Sequence, residues 1–330
     1  MKKNILVTGG AGYIGSQVSY DLIERGYKVF IVDNLSTGSL ILVPKDAKFY
    51  KLDIKNSKLL KKIIIKKKIS TIIHLASSLS VVESSKKPLK YFDNNVLGTI
   101  SLMNSILSTK VKNIIFSSTS AIYGNSKKTK ISENQPKLPI SNYAKSKLIC
   151  EDIIKYYCNN FKINSVILRY FNVAGADIKN KIGCLNEIGQ LFKNISKNIV
   201  NQKNLVNIFG KNYPTKDGTC IRDYIHVKDI SLIHLKCLNY LNKKNNSLEL
   251  NCGYGNGYSV LDIVKTFEKV SKKNLKLKFL PRRNGDTSRA VCDTNLMNTI
   301  IKFKPKHNSI IKIAKDSLDW EFISKKTSND

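Results

Sequence analysis

The sequence predicts an α/β protein in which a doubly wound parallel sheet of the Rossmann type is followed by a smaller C-terminal α+β lobe. Three observations predict it. Short apolar runs alternate with stretches of helical periodicity over roughly the first 170 residues. A glycine-rich turn follows the first apolar run directly, and an acidic residue closes the second. The sheet domain is expected over 1–175 and the lobe over 176–330, with segments near 220–255 returning to the sheet domain.

Ile5-Leu6-Val7-Thr8 reads as the first strand, buried on both faces as parallel strands are. A helix is expected from about Ser16 to Arg25, stopped by Gly26, and a second strand from Tyr27 to Asp33. Further strands are expected at Lys48–Leu52, Thr71–Leu75, Asn113–Ser118 and Ser165–Tyr170, with helices at Ser57–Lys67, Tyr91–Leu107 and Tyr143–Phe161. After Gly175 the alternation weakens, and Gly, Asn and Lys thicken through Asn180–Pro214, which marks the start of the lobe. The polar tail Ser324–Asp330 is expected to fray.

A chain of 330 residues, 42% apolar, can bury a large core. No segment approaches the ~20 uninterrupted apolar residues of a membrane span, and the first strand starts too early for a secretion signal, so a cytoplasmic, membrane-free protein is expected. The seven cysteines are scattered without a C-x-x-C pair, which argues against a disulfide framework and a metal site. A net charge of +32 would by itself point to nucleic acid. The lysines lie in runs spread over every expected helix and are not interleaved with aromatic residues, so they read as a solvated face and no nucleic-acid partner is expected.

Gly10-x-Gly12-x-x-Gly15, and in overlap Gly9-x-x-Gly12-x-x-Gly15, sits between a strand and a helix. There the backbone can turn tightly and the helix N-terminus can receive a pyrophosphate. Asp33, 18 residues past Gly15, would accept a ribose hydroxyl and repel a 2′-phosphate, so NAD is the expected cofactor. Asp53 and Ile54, ending the third strand, would border the adenine.

Tyr143-x-x-x-Lys147 places a phenol and an ammonium one turn apart on one helix face, where the cation is expected to lower the phenol pKa toward neutrality. Thr119, within Ser117-Ser118-Thr119-Ser120-Ala121 at the end of a strand, adds a hydroxyl. The three form a dehydrogenase triad; without the other two, Thr119 would read as a capping residue.

With these motifs in place the chain resembles the UDP-glucose 4-epimerases of the extended short-chain dehydrogenase family. The resemblance rests on Val7-Thr8-Gly9-Gly10-Ala11-Gly12-Tyr13-Ile14-Gly15, Arg169-Tyr170-Phe171-Asn172, Arg222-Asp223-Tyr224-Ile225-His226-Val227 and Pro281-Arg282-Arg283-x-Gly285-Asp286. It implies a base, Tyr143, with Thr119 as its hydrogen-bonding partner and Lys147 reaching the nicotinamide ribose. It implies an NAD site of Gly9, Gly12, Tyr13, Ile14, Gly15, Asp33, Asn34, Asp53, Ile54, Leu75, Ala76, Asn94 and Phe171 together with Tyr143 and Lys147. For the UDP-sugar it implies Thr119, Asn172, Arg222, Tyr224, Arg283, Asp286 and Ala290, with the two arginines on the diphosphate. It also implies a homodimer packed through helices that include the Tyr143 helix.

Two departures stand out. Leu79 replaces a lysine that some members carry after the fourth strand, and Cys184–Asn194 lacks the proline-containing stretch that approaches the diphosphate. Related readings within the superfamily are weaker. A 4,6-dehydratase carries Asp-Glu after the catalytic threonine where this chain has Ser120-Ala121; a glucuronate epimerase or decarboxylase, or a catalytically impaired NAD-binding relative, is the remaining alternative. The small Ala290 leaves room for an N-acetyl group on the sugar, with the neighbouring Arg289 able to fold back and fill it.

Overall fold

The computed structural model describes residues 3–326 except 127, 178, 180, 188, 189 and 245. Of the tail expected to fray, 327–330 lie outside the described residues. The strands are β1 (Asn4–Thr8), β2 (Lys28–Asp33), β3 (Lys48–Lys51), β4 (Thr71–His74), β5 (Asn113–Thr119), β6 (Asn164–Tyr170), β7 (Asn172–Ala174), β8 (Leu205–Phe209), β9 (Ile221–His226), β10 (Leu248–Cys252), β11 (Gly257–Ser259), β12 (Lys276–Leu280) and β13 (Arg289–Ala290). The helices are α1 (Tyr13–Glu24), α2 (Ser57–Lys66), α3 (Val81–Lys86), α4 (Pro88–Tyr91), α5 (Gly98–Ile106), α6 (Asn142–Phe161), α7 (Leu191–Val200), α8 (Val227–Lys244), α9 (Val260–Ser271), α10 (Asn295–Ile301) and α11 (Ile310–Lys326).

Two units share these elements. The first comprises residues up to Ile122, Ser141–Arg169 and Ser231–Leu250. The second comprises Tyr123–Ile140, Tyr170–Ile230 and Asn251 onward, so the stretch 123–140, assigned to the sheet domain by the sequence, counts with the second unit.

A seven-stranded sheet of order β10-β6-β5-β4-β1-β2-β3 forms the first unit, with β3, β2, β1, β4 and β5 in parallel register. All seven residues of β5 are buried, as a central parallel strand requires. On one side Leu60, Ile64, Leu102, Ile106, Ile154 and Cys158 from α2, α5 and α6 share a core with Leu6, Ile72 and Ile114 of the sheet. Two expected elements are corrected. Helix α1 begins at Tyr13, three residues before the expected start at Ser16, so Gly15 is helical: a Cβ there would stand 2.2 Å from the Gly9 carbonyl oxygen, and only glycine lets the helix start this close to the turn. The single helix expected over Tyr91–Leu107 is instead broken by a π-helical stretch, Phe92–Leu97, a local irregularity that often marks functional sites.

In the second unit β9 is the organising strand. Its first half pairs antiparallel with β11 and parallel with β13, and its second half pairs parallel with β7. Beneath it Phe192, Ile195 and Ile199 of α7, Ile263 and Phe267 of α9, and Ile313 and Leu318 of α11 enclose Val206 and Ile208 of β8. Among the described residues no helix is long and apolar enough to cross a membrane, and no group of His, Cys, Asp or Glu could hold a metal ion.

Candidate active site

Ser141 caps α6 by accepting from the Ala144 amide at 3.1 Å, which puts Tyr143 in the first helical turn and Lys147 one turn later. Both are buried: Tyr143 meets Tyr91 edge-on at 6.3 Å, and the Lys147 ammonium lies 4.4 Å from the centre of the Phe116 ring while donating to Ser77 Oγ at 3.3 Å. Thr119 at the end of β5 accepts from the Ala121 amide at 3.2 Å, as the capping reading expects, and its hydroxyl is near enough to the Tyr143 phenol to oppose the rise in its pKa.

The expected lowering of the phenol pKa is not found. Burial pushes Tyr143 up to about 12, with the Thr119 bond opposing the rise, and burial lowers Lys147 to about 8. Desolvation disfavours each charged form, and here it outweighs what the neighbouring cation contributes to the phenol. His74, buried below, is lowered to about 3 by burial and by the Lys147 charge, so it stays neutral, linking Thr8 Oγ1 at 2.7 Å to Thr99 Oγ1 at 3.3 Å.

At the same carboxyl edge of the sheet, beyond β1 and β2, the glycine turn and the β2 acid are joined. Asp33 accepts from the Ala11 amide at 3.1 Å and the Leu35 amide at 2.8 Å; burial raises its pKa and those two bonds oppose the rise. Asn34 donates to Asp53 at 3.1 Å. Ile54 packs so closely under α5 that a Cβ on Gly98 would stand 2.9 Å from it. Leu75 and Ala76 are half-buried beyond β4, and the exposed Leu79 occupies the divergent position. Asn94, in the π-helical stretch, is half-buried and donates to Asn95 Oδ1 at 3.2 Å.

Within the second unit, Arg222 and Tyr224 alternate along β9, with Ala290 of β13 in register with Arg222 and Asn172 of β7 in register with Tyr224. Asp286 joins the arginines, one oxygen 3.7 Å from the Arg222 guanidinium and the other accepting from Arg283 Nε at 2.8 Å. Arg283 lies over the Phe209 ring at 4.8 Å and Arg282 over the Tyr213 ring at 4.2 Å. Between Arg222 and Tyr224, Asp223 turns inward and accepts from the amides of Tyr254, Gly255 and Cys292, which holds β9 to its neighbouring loops; burial raises it to about 6 despite these bonds. Arg289 is held by the Thr129 carbonyl at 3.2 Å.

Comparison with known proteins agrees with this geometry. The family model "NAD dependent epimerase/dehydratase family" matches residues 5–253. The chain belongs to this family. It is 39% identical over 317 residues to a UDP-glucose 4-epimerase of Lactobacillus helveticus, covering 96% of each chain. Among solved structures it is similar to a UDP-glucose 4-epimerase from Stenotrophomonas maltophila with bound NAD and formylated UDP-arabinopyranose (TM-score 0.94, 31% identity, 98% of this chain and 99% of that one). It is also similar to a UDP-Glc/GlcNAc 4-epimerase from Campylobacter jejuni (TM-score 0.83, 37% identity, 97% and 99% covered).

The residues fit the family's cofactor, NAD. The first turn of α1 carries no acidic side chain, and Gly12 caps it without a side-chain bond, so no anion competes there with a pyrophosphate. Gly9 has φ +72°, and a Cβ on it would meet the Ala76 amide nitrogen at 2.5 Å, so the turn lies flat against the end of β4. Tyr13 and Ile14 open α1, half-buried, and each Asp33 oxygen keeps acceptor capacity beyond its backbone bond. Phe171, expected among the cofactor residues, is buried in the second unit, where its amide donates to the Cys252 carbonyl. In the divergent stretch, residues 188 and 189 lie outside the described residues; beyond them Phe192 stacks on Tyr224 at 4.9 Å and Lys193 pairs with Glu321 at 2.6 Å, so these side chains build the core. The sequence reading missed Asn95, which accepts from the Ser78 amide at 2.8 Å and donates to Ser146 Oγ at 3.0 Å; the paired asparagines before Gly98-Thr99 were the available signal. Arg282, Phe209 and Tyr213 were quoted or near at hand as motif residues without a role.

The buried ammonium has a stability consequence. Because the folded-state pKa of Lys147 is lowered to about 8 from 10.5, the fold carries the full penalty below pH 8 and sheds it as pH rises toward 10.5. Lys147→Met is expected to stabilise cofactor-stripped protein by about 1–3 kcal/mol at pH 7. Urea titrations from pH 7 to 10.5 should show that gain shrinking; a gain that grows with pH contradicts the assignment.

Proposed function

We propose that the chain is a UDP-glucose 4-epimerase that interconverts UDP-galactose and UDP-glucose with tightly bound NAD. The observation that carries the reading is the buried set Thr119, Tyr143 and Lys147 in a chain that also holds two arginines around Asp286. NAD, when bound, supplies the hydride acceptor and donor that interconvert the sugar alcohol and its 4-keto form. The protein's residues govern protons and position. Tyr143, as phenolate, takes the proton of the 4-hydroxyl and, as phenol, returns it, with the Thr119 hydroxyl favouring the ionised oxygen. Lys147 offers its ammonium to a ribose hydroxyl, and its charge favours the phenolate that must form before the proton can move. Arg222 and Arg283 take the diphosphate through charge-assisted hydrogen bonds, with Asp286 fixing both guanidinia in advance, while Asn172 and Tyr224 complete the UDP-sugar contacts. Fixing the nucleotide by its diphosphate leaves the hexose free to present either face, and one stereocentre inverts without net redox change.

Tyr143→Phe is expected to keep fold and NAD content while turnover of UDP-galactose falls about 10²–10⁴-fold. A variant within tenfold of wild type would end the assignment of Tyr143.

Ala290 sets the sugar range in this reading. It is small, and Arg289 beside it is held by Thr129, so the space is not refilled. The wild-type protein is expected to turn over UDP-N-acetylgalactosamine as well as UDP-galactose, and Ala290→Tyr to lose at least tenfold on the N-acetyl sugar only, from crowding at carbon 2. Equal effects on both sugars refute the steric account.

A cytoplasmic homodimer fits the remaining features: all seven cysteines are unpaired, and α6 exposes Ile149 (40%) and Tyr156 (67%), seven residues apart on one face. Sedimentation is expected to give about twice the chain mass, and Tyr156→Lys to shift it toward the single chain. A wild-type single-chain mass rejects the dimer.

A further inference from the structure

Helix α6 carries a third buried ionisable group in line with Tyr143 and Lys147. Tyr143, Lys147 and Glu151 follow at intervals of four, so they stack along one face, and Glu151 is fully buried. Its carboxylate is saturated by designed partners. Oε1 accepts from Ser118 Oγ at 2.5 Å and from Arg169 Nε at 3.0 Å, while Oε2 accepts from Arg169 at 2.7 Å. Arg169, itself fully buried on β6, is bonded also to Glu249 of β10, which meets Lys155 of α6 at 3.4 Å.

Where this chain of contacts begins is informative. The last register pair between β5 and β4 joins Phe116 to His74, so Ser117, Ser118 and Thr119 run on beyond the ladder with β4. Ser118 is the residue immediately before Thr119, and its side chain is the one that reaches α6. The Thr119 hydroxyl must meet the Tyr143 phenol, which α6 carries. The two catalytic groups therefore sit on separate elements, and a short charge-assisted hydrogen bond ties those elements together one residue from one group and two turns from the other.

We propose that Ser118, through Glu151 held by Arg169, is the positioning residue that sets Thr119 against Tyr143. The inference rests on the epimerase reading above. Ser118 touches neither sugar nor cofactor in this account; it acts only by placing Thr119. A positioning role of this kind has a signature that a merely structural one lacks. Removing the tether should lower the rate of the chemical step and leave substrate affinity alone, and it should matter only while Thr119 has a hydroxyl to place.

The test is a double-mutant cycle on the NAD-loaded protein with UDP-galactose, using wild type, Ser118→Ala, Thr119→Ala and the double variant, with the melting temperature of each recorded. Ser118→Ala is expected to lower kcat at least tenfold with KM within twofold, and to lower kcat less than twofold further in the Thr119→Ala background. Ser118→Thr, which keeps the hydroxyl, should recover most of the loss. If Ser118→Ala does not fold, Ser118→Cys, which keeps the volume and offers a weaker donor, replaces it in the cycle with the same expected pattern. The proposal is overturned if the Ser118 variant stays within twofold of wild type, or if the two losses multiply. If instead Thr119→Ala alone leaves kcat unchanged, it is the catalytic reading of Thr119 that fails, and the cycle separates the two outcomes.

Discussion

Between its sheet and α6 the protein buries a lysine, a glutamate and an arginine, and an ionised side chain can be held in such a place only if its partners are supplied at fixed positions. Glu151 and Arg169 satisfy each other through two oxygens and two nitrogens, and their neighbours Ser118 and Glu249 come from the strands on which the helix lies. Lys147 has a softer environment, an aromatic face and one hydroxyl, and its lowered pKa records the difference.

The glycine turn after β1 obeys a different constraint, the closeness of backbone to backbone. The glycine turn lies against the end of β4 and against the first turn of α1 at distances that admit no Cβ, and Asp33 pins it by accepting the Ala11 amide. The acid expected to read a ribose thus also shapes the turn expected to receive the phosphates. Dual use of this kind recurs at Thr119, whose hydroxyl accepts from the Ala121 amide and also opposes the rise in the Tyr143 pKa. In the second unit Asp223 does the equivalent work from within β9: it faces inward to bind three loop amides and so leaves its neighbours Arg222 and Tyr224 on the opposite side of the strand.

Much of the first unit was legible in the sequence because its signals are local. Apolar runs, a glycine turn after a strand and a Tyr-x-x-x-Lys pair at helical spacing each fall within a dozen residues, and the strands lie within a residue or so of where alternation puts them. The misreadings are of the same kind. Helix α1 starts earlier than expected because Gly15 lets its first turn lie against the glycine turn, and the π-helical break at Phe92–Leu97 leaves no mark in periodicity. In the divergent stretch, which was read only as lacking the proline-containing approach to the diphosphate, Phe192 and Lys193 meet partners more than thirty and more than a hundred residues away, in Tyr224 and Glu321.

By itself, then, the sequence determined the sheet order's raw material, the glycine turn after the first strand, the Tyr-x-x-x-Lys pair and the family, since each depends on residue types at short, fixed spacing. Only the tertiary structure decided the protonation energetics and the partnerships. Whether a phenol beside a lysine rises or falls in pKa depends on how much water the surrounding elements exclude, and here exclusion prevails over the neighbouring charge. Likewise nothing local marks Ser118, Glu151, Arg169 and Glu249 as one network, because they come from β5, α6, β6 and β10 and meet only when the sheet is assembled.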